Sequence, residues 1–389
     1  MREEPTATAA PSSEPLVVEA AESFRGRSLF LRVPWTVYSG DPNWSPPLLL
    51  ERRLHLSRRN PFFAHARARF WIARRGGAVV GRISAQVDDL HLGTYRDETG
   101  FFGMLEAIDD PEVFAALFAA AEAWLREQGM KRALGPFNLS INDEVGTLID
   151  GFDTPPMLMM GHGHPYYDER IRQCGYVKAK DTVAYIRNPA DDTPNVMRAS
   201  LRRAERDGIR VRPGRLSHLR EDLEIVRDIY NDAWSENWNA TPFTEAEFAD
   251  LGSSMKLFVP PEYVQIAEVD GKPAAMLVVF PNLNESIRDL DGRLFPFGWA
   301  KLLWRLKRRP PRSARMPLMG VRKEYQRSAV GMTLVFALLE AVRGPLVAHG
   351  VDRLEMSWTL EDNRGMRHIK ERIGARLYKT YRIYERSLR

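Results

Sequence analysis

Residues 318–334 (LMGVRKEYQRSAVGMTL) carry the pattern best suited to chemistry. A short apolar run passes through a polar turn into a helical pattern from about Ser328. A helix start offers unpaired backbone N–H groups and the positive end of the peptide dipoles, so it attracts anions. Arg327 and Ser328 add donors beside Gln326. Ala329 and Gly331 keep the backbone accessible, and Val330 and Met332 complete the first turn without charge. No carboxylate occurs between Gln326 and Glu340. The pattern predicts a diphosphate site, although an ordinary helix start packed on a sheet would read similarly.

A second group lies in residues 135–167, which are dense in polar and turn residues and too long for a simple connection. Asn138, Asn142, Asp143 and Glu144 could meet a cationic amine, and the same residue types also build turns and caps. His162 and His164 form an H-x-H pair. A metal would need a third ligand, and none stands at suitable spacing, so a substrate-lining or loop-ordering role is expected and no metal. Residues 157–160 (MLMM) suit either a buried strand or the wall of an adaptable apolar pocket. Cys174 has no partner histidine nearby and reads as core packing.

The elements that must position these groups come twice. Strand and helix signals run through residues 15–38, a hairpin turns over Gly76-Gly77, and a helix opens at Asp110-Pro111. Strands follow at 131–137 and 176–187, with a short helix at 165–173. After a linker near residues 188–192 and a basic helix at 194–207, the same order returns. It includes a hairpin over Asp270-Gly271, a strand at 316–321, a helix at 328–343, and a final strand–helix–strand. The expected organisation is a disordered tail at 1–14 and two halves of one fold at 15–190 and 191–389. Each is an α/β (α+β) unit with a mixed, mostly antiparallel sheet flanked by helices.

Composition agrees. The chain has 389 residues, 44% hydrophobic and 28% charged, with a net charge of +5 and one cysteine. It is globular in composition and long enough for two domains. A lone cysteine excludes an internal disulfide and suggests a reducing compartment. The N-terminus lacks the apolar core of a signal peptide, and no apolar run near 18 residues stands out. A cytoplasmic protein is expected.

The second half resembles the GNAT superfamily of acyltransferases. That family carries a Q/R-x-x-G-x-G/A loop, matched here by Gln326, Ala329 and Gly331, with alanine in the middle position. A later Asn…Glu-Lys-x-Gly-Phe pattern reads Asn363, Glu371, Arg372, Gly374 and Ala375. The resemblance implies acyl-CoA as acyl donor, with Met319 or Val321 backbone as oxyanion donor. It also implies a carboxylate base, for which Glu361 and Asp362 are candidates unless they cap the helix at Asn363. Glu355 would serve only if its side chain points the right way. His368, Tyr378 or Tyr381 would stand in for the usual tyrosine acid. In the first half, Asp109 and Asp110 occupy the corresponding helix start and would repel phosphates, so one CoA site is expected.

The family usually crosses residues 282–315 with a short turn. Here the stretch is an insert with Arg293, Lys301, Arg305, Lys307, Arg308, Arg309, Arg312 and Arg315 and no acid from Gly292 to Lys323. On a helix, Trp299, Leu302 and Leu303 share one face, Lys301, Arg305 and Arg308 the other, and Trp304 adds bulk. An interfacial membrane helix has this composition. Docking on the protein's own core, contact with the CoA 3′-phosphate and nucleic-acid binding compete with it; no nucleic-acid reader motif accompanies the helix. The layout as a whole, with DPNWSPP (residues 41–47), RNPFF (59–63) and FNLSINDEVGTLIDGFDTPPMLMMGH (137–162), resembles a tandem GNAT-like family that includes bacterial ceramide synthases. The resemblance implies N-acylation of a sphingoid base such as sphinganine, peripheral to the inner membrane. Alternatives are a small-molecule or protein N-acetyltransferase using acetyl-CoA, and a non-catalytic acyl-CoA or lipid-binding relative.

Overall fold

The computed structural model describes residues 14–389, so all but the last residue of the expected tail lies outside the described residues. The first half runs β1 (Leu16–Ala20), α1 (Phe24–Val37), α2 (Leu49–His55), β2 (Ala66–Arg75), β3 (Ala78–Asp88), α3 (Asp89–Tyr95) and β4 (Thr99–Ala107). It continues through α4 (Pro111–Glu127), β5 (Arg132–Gly135), β6 (Thr147–Asp150), α5 (Tyr166–Gln173) and β7 (Val177–Arg187). The second half runs α6 (Asn195–Arg206), β8 (Ile209–Pro213), α7 (Leu219–Trp234), α8 (Glu245–Met255), β9 (Val264–Val269), β10 (Lys272–Pro281) and α9 (Asn284–Ile287). It ends with α10 (Gly298–Arg308), β11 (Ser313–Val321), α11 (Ala329–Ala348), β12 (Arg353–Leu360), α12 (Arg364–Arg372) and β13 (Arg376–Ser387).

The expected pair of sheets is one continuous sheet of mixed direction, in the order β1-β2-β3-β4-β5-β13-β7-β12-β11-β10-β9-β8. The two halves exchange their last strands. β7 comes from the first half but lies against β12, while β13 from the second half pairs with β5 and β6. Their side chains follow. Val183 and Tyr185 of β7 lie in the core under α11, and Tyr384 and Leu388 complete the first-half core around Phe114 and Phe118.

Helix starts follow local signals. Asp110 caps α4 by accepting from Glu112 N–H, with Pro111 at the first position, and Thr244 and Glu247 form a reciprocal capping box on α8. The helix α11 runs past Pro345 to Ala348, beyond the end expected at Arg343. By length and composition alone it could cross a membrane. It packs instead along α6 and β8–β11, burying Leu334, Phe336, Leu338, Val342 and Leu346.

In both halves one parallel strand pair opens into a fork. β11 and β12 pair only over Ser313–Met316 and Arg353–Met356, and then diverge. β4 and β5 pair only over Thr99–Phe101 and Arg132–Leu134.

Candidate active site

The second-half fork ends in the loop that the sequence marked. Met319 and Val321 lie on the diverging end of β11. Gln326 braces the loop by donating to the carbonyls of Val321 (2.9 Å) and Ala233 (3.1 Å). Arg327 takes a left-handed backbone (φ 60°), turning the chain into α11. Ser328 caps that helix, its Oγ accepting from Gly331 N–H at 3.0 Å. The N–H groups of Ala329 and Val330 make no hydrogen bond within the described chain. A Cβ at Gly331 would lie 2.2 Å from the Tyr325 carbonyl oxygen, so only glycine permits this closed loop. Gln326, Arg327, Ser328, Ala329 and Met332 are exposed and no acid stands in the first turn. The residues present fit a diphosphate. Asn363 caps α12 at the end of β12, accepting from Met366 N–H at 3.1 Å.

The first-half fork is closed by its own chain. Phe137 N–H donates to the Phe102 carbonyl at 2.8 Å, Gln86 donates to the Phe137 carbonyl at 2.7 Å, and Asn138 Oδ1 accepts from Met104 N–H at 2.7 Å. A Cβ on Gly103 would strike the Phe137 carbonyl at 1.8 Å, so the fit depends on glycine. At the α4 start, Asp110 and Glu112 are held by the Arg75 guanidinium.

A cavity of about 490 Å³ lies between the halves. The three motifs that carried the whole-chain resemblance converge on it, through Trp44, Ser45 and Pro47, through Asn60, Pro61 and Phe62, and through the loop 137–162. Asn138, Asn142, Asp143, Glu144 and His162 all line it. Glu144 accepts from Asn138 Nδ2 at 2.7 Å, and the Tyr230 hydroxyl donates to Asn142 Oδ1 at 2.6 Å. Burial raises the pKa of Asp143 above the usual carboxyl range. His162 pairs with Asp41 at 2.8 Å, and burial pulls its pKa down. His164 stands behind the wall, on the Val37 carbonyl at 3.0 Å and against Tyr38 and Tyr166. Residues 157–160 form no strand; Leu158, Met159 and Met160 line the cavity from a loop.

Further acids that the sequence reading did not single out also face this space: Glu51, Glu106, Glu247 and Asp250. Glu106 was legible as a lone carboxylate in an apolar strand (FFGMLEA). It accepts from the hydroxyls of Tyr38 and Tyr167, and burial raises its pKa. A smaller cavity of about 30 Å³ adjoins the fork, bounded by Trp234, Arg315, Pro317, Leu318 and Trp358. Asn142 and Asp143 line both spaces, and among the described residues Asp143 is the only carboxylate on the smaller one.

The other expected catalytic groups are not brought there. Glu361 is held by Lys178 at 2.6 Å and by Asp181 N–H at 3.0 Å, and Asp362 is exposed and paired with Lys180 at 2.8 Å. His368 is exposed on α12. Tyr378 donates to Glu355, a fully buried carboxylate that also accepts from Ser357, and the Tyr381 hydroxyl is fully buried without a partner among the described residues. Burial pushes Cys174 up to about 11, consistent with packing.

The insert forms α10 as expected, but with a different side inward. Lys301 and Arg305 turn to Asp289 on the protein, and Arg305 also donates to the Ser286 carbonyl at 2.8 Å. Leu302 is half-buried. Trp299, Leu303, Trp304 and Arg308 face outward, with Phe295 and Phe297 exposed just before the helix. Arg315 does not belong to the basic surface. It is buried in β11, donating to Ser357 and to the Leu158 and Met159 carbonyls, and so fixes the methionine loop.

This forked sheet with its glycine-closed loop and helix start is the architecture of an acyl-CoA N-acyltransferase, and the comparisons agree. Residues 223–375 match the model of the acetyltransferase (GNAT) family. The chain is 50% identical over 359 residues to Protein YghO of Escherichia coli, covering 92% of each, and 47% identical over 361 residues to the bacterial ceramide synthase of Caulobacter vibrioides, covering 92% of this chain and 94% of that one. In fold it is similar to a tandem GNAT protein from the clavulanic acid biosynthesis pathway (TM-score 0.57, 15% identity, 96% and 98% coverage). The chain belongs to the tandem GNAT family of acyl-CoA N-acyltransferases that includes the bacterial ceramide synthase.

Proposed function

We propose that the protein acylates a long-chain amine of the sphingoid-base class, sphinganine being the simplest, with a fatty acyl-CoA at a membrane surface. The observation that carries this reading is the large cavity, whose carboxylates suit an ammonium while Leu31, Pro34, Leu56, Phe62 and Phe258 suit an alkyl chain. The 47% identity to a protein named bacterial ceramide synthase supports it.

The acceptor ammonium gives one proton to Asp143, whose raised pKa suits it to a base. The freed amine attacks the thioester carbon at the β11 fork. Backbone N–H on the diverging end of β11, at Met319 or Val321, steadies the developing oxyanion. The carbon–sulfur bond breaks, a second proton from nitrogen reaches the sulfur, and amide and CoA thiol leave. Asp143 returns its proton to water.

The cavity's surroundings support the membrane setting. Its walls include residues of α2, the end of α8 and α9. Leu50 and Leu54 are exposed on α2, Leu257 follows α8 at 86% exposure, and α10, packed on α9, presents Trp299 and Leu303. Arg53, Lys307, Arg308 and Arg309 are exposed alongside. Each basic residue at an anionic surface contributes about 1 kcal/mol. On this reading the protein sits on the cytoplasmic face of a membrane.

Incubation of the purified protein with sphinganine and palmitoyl-CoA should yield N-acyl product and free thiol in equal amounts. Turnover of acetyl-CoA with a small amine, and none with sphinganine, would overturn the acceptor class. Binding of acyl-CoA without thiol release under any amine would overturn catalysis.

A further inference from the structure

We infer that a second, apolar cavity between α7, α8 and the sheet takes the first few carbons of the acyl donor's hydrocarbon tail. The inference rests on the proposed use of a fatty acyl-CoA and adds where its tail lies. The cavity measures about 80 Å³, and Leu223, Val226, Phe248, Val259, Val264 and Val278 are among its walls. Arg215 and Asp222 stand at its edge and are paired with each other at 2.8 Å, so they make no demand on a ligand.

Its position argues for the donor. It shares Leu318 and Phe280 with the small cavity at the fork, and Leu318 precedes Met319, one of the two backbone positions assigned to the thioester. Leu251 lines all three spaces. A tail leaving the thioester on the α7 side meets the apolar cavity next, with only the side chains of Leu251, Phe280 and Leu318 between the two spaces. The acceptor's alkyl chain has its own apolar wall beyond the carboxylates of the large cavity. An acetyl group would need none of this volume.

Gly252 sets the width. It faces the cavity from α8, and a Cβ there would lie 2.5 Å from Leu223 Cδ1. A side chain at position 252 would fill the space, and a smaller one at position 223 would enlarge it. Each methylene moved from water into such a space strengthens binding about fourfold.

The test is titration calorimetry of the full chain with acetyl-, octanoyl- and palmitoyl-CoA. In the unaltered protein affinity should rise with chain length. Gly252→Leu should leave acetyl-CoA binding unchanged and weaken palmitoyl-CoA at least tenfold. Leu223→Ala should retain acetyl-CoA binding and shift the preference towards longer chains. Opposite shifts would support the assignment, because general destabilisation would move both variants the same way. Unaltered chain-length profiles in both variants would overturn it. If Gly252→Leu does not fold, an acyl-CoA carrying a diazirine on the first carbons of its tail decides the matter. Crosslinks to α7 and α8 support the inference, and crosslinks to α1 and α2 overturn it. These are binding readouts. Failure of sphinganine acylation would therefore count against the proposed reaction and leave the tail site standing or falling on its own result.

Discussion

Asp143 lines both the large cavity and the small one at the fork, and its burial has consequences for activity and stability. A folded-state pKa above the unfolded value means that the folded chain binds more protons. Stability therefore falls as pH rises through that window, where the buried carboxylate must ionise. Asp143→Asn should lower kcat about 10²–10⁴-fold, the range for loss of a general base. It should also remove the acid-side rise of the pH–rate profile and leave thermal stability equal or higher. A fall of less than threefold would show that another group takes the proton. Asp143 was legible as part of a polar loop too long for a simple connection, but not in the role of base proposed for it. Glu361 and Asp362 had the better sequence position, directly after a central strand. Their partners Lys178 and Lys180 lie some 180 residues away in sequence, and only the folded sheet brings them together.

At the scale of elements, the strand–turn–helix before α11 behaves as its spacing suggests, because its determinants are local. Gly331 admits the Tyr325 carbonyl, Ser328 caps, and Gln326 braces the turn. Gly331→Ala would force the loop away from its seat and misdirect the Ala329 and Val330 N–H groups. CoA affinity should fall about tenfold or more by calorimetry, with the melting temperature little changed. Undiminished affinity would remove this helix start from the CoA site. The insert shows what periodicity leaves open. Its pattern predicts an amphipathic helix, but the inward face was decided by Asp289 and Ser286, residues of the insert's own first turns. The exposed set is therefore Trp299, Leu303 and Trp304 beside Lys307 and Arg308. In flotation with anionic vesicles the protein should rise with the lipid, and Trp299→Ala with Leu303→Ala should reduce the bound fraction severalfold. Equal flotation of both would show that this face does not hold the membrane.

Over the whole molecule, the element order revealed two copies of one fold, but not which copy keeps each final strand. Alternating or apolar strand patterns specify a buried face and leave the neighbour undetermined. The answer lies in long-range packing. Tyr384 and Leu388 arrive from the far end of the chain to fill the first-half core, and Val183 and Tyr185 leave the first half to lie under α11. Further ties cross the same boundary. His65 is held by Asp88 at 2.9 Å and Glu247 at 3.2 Å, and Leu49 N–H donates to the Gly292 carbonyl at 3.0 Å. Burial opposes charge on His65, but the two carboxylates outweigh it and raise its pKa to about 9. A raised folded-state value gives a contribution fully present below about 6.5 and lost as pH climbs through 9. Stability of the whole chain should therefore decline over that interval, and His65→Gln should flatten the decline. The exchanged strands make the stronger demand. Residues 1–190 expressed alone lack β13, so β5 and β6 lose their shared partner and Phe114 and Phe118 lose Tyr384. Residues 191–389 alone lack β7, leaving β12 an open edge and the α11 face of the core uncovered. Neither piece should give a cooperative thermal transition by itself, and the two mixed in equal amounts should recover one. A sharp melt from either piece alone would mean that a half can refill the vacant position with its own strand, and that the exchange is dispensable to the fold.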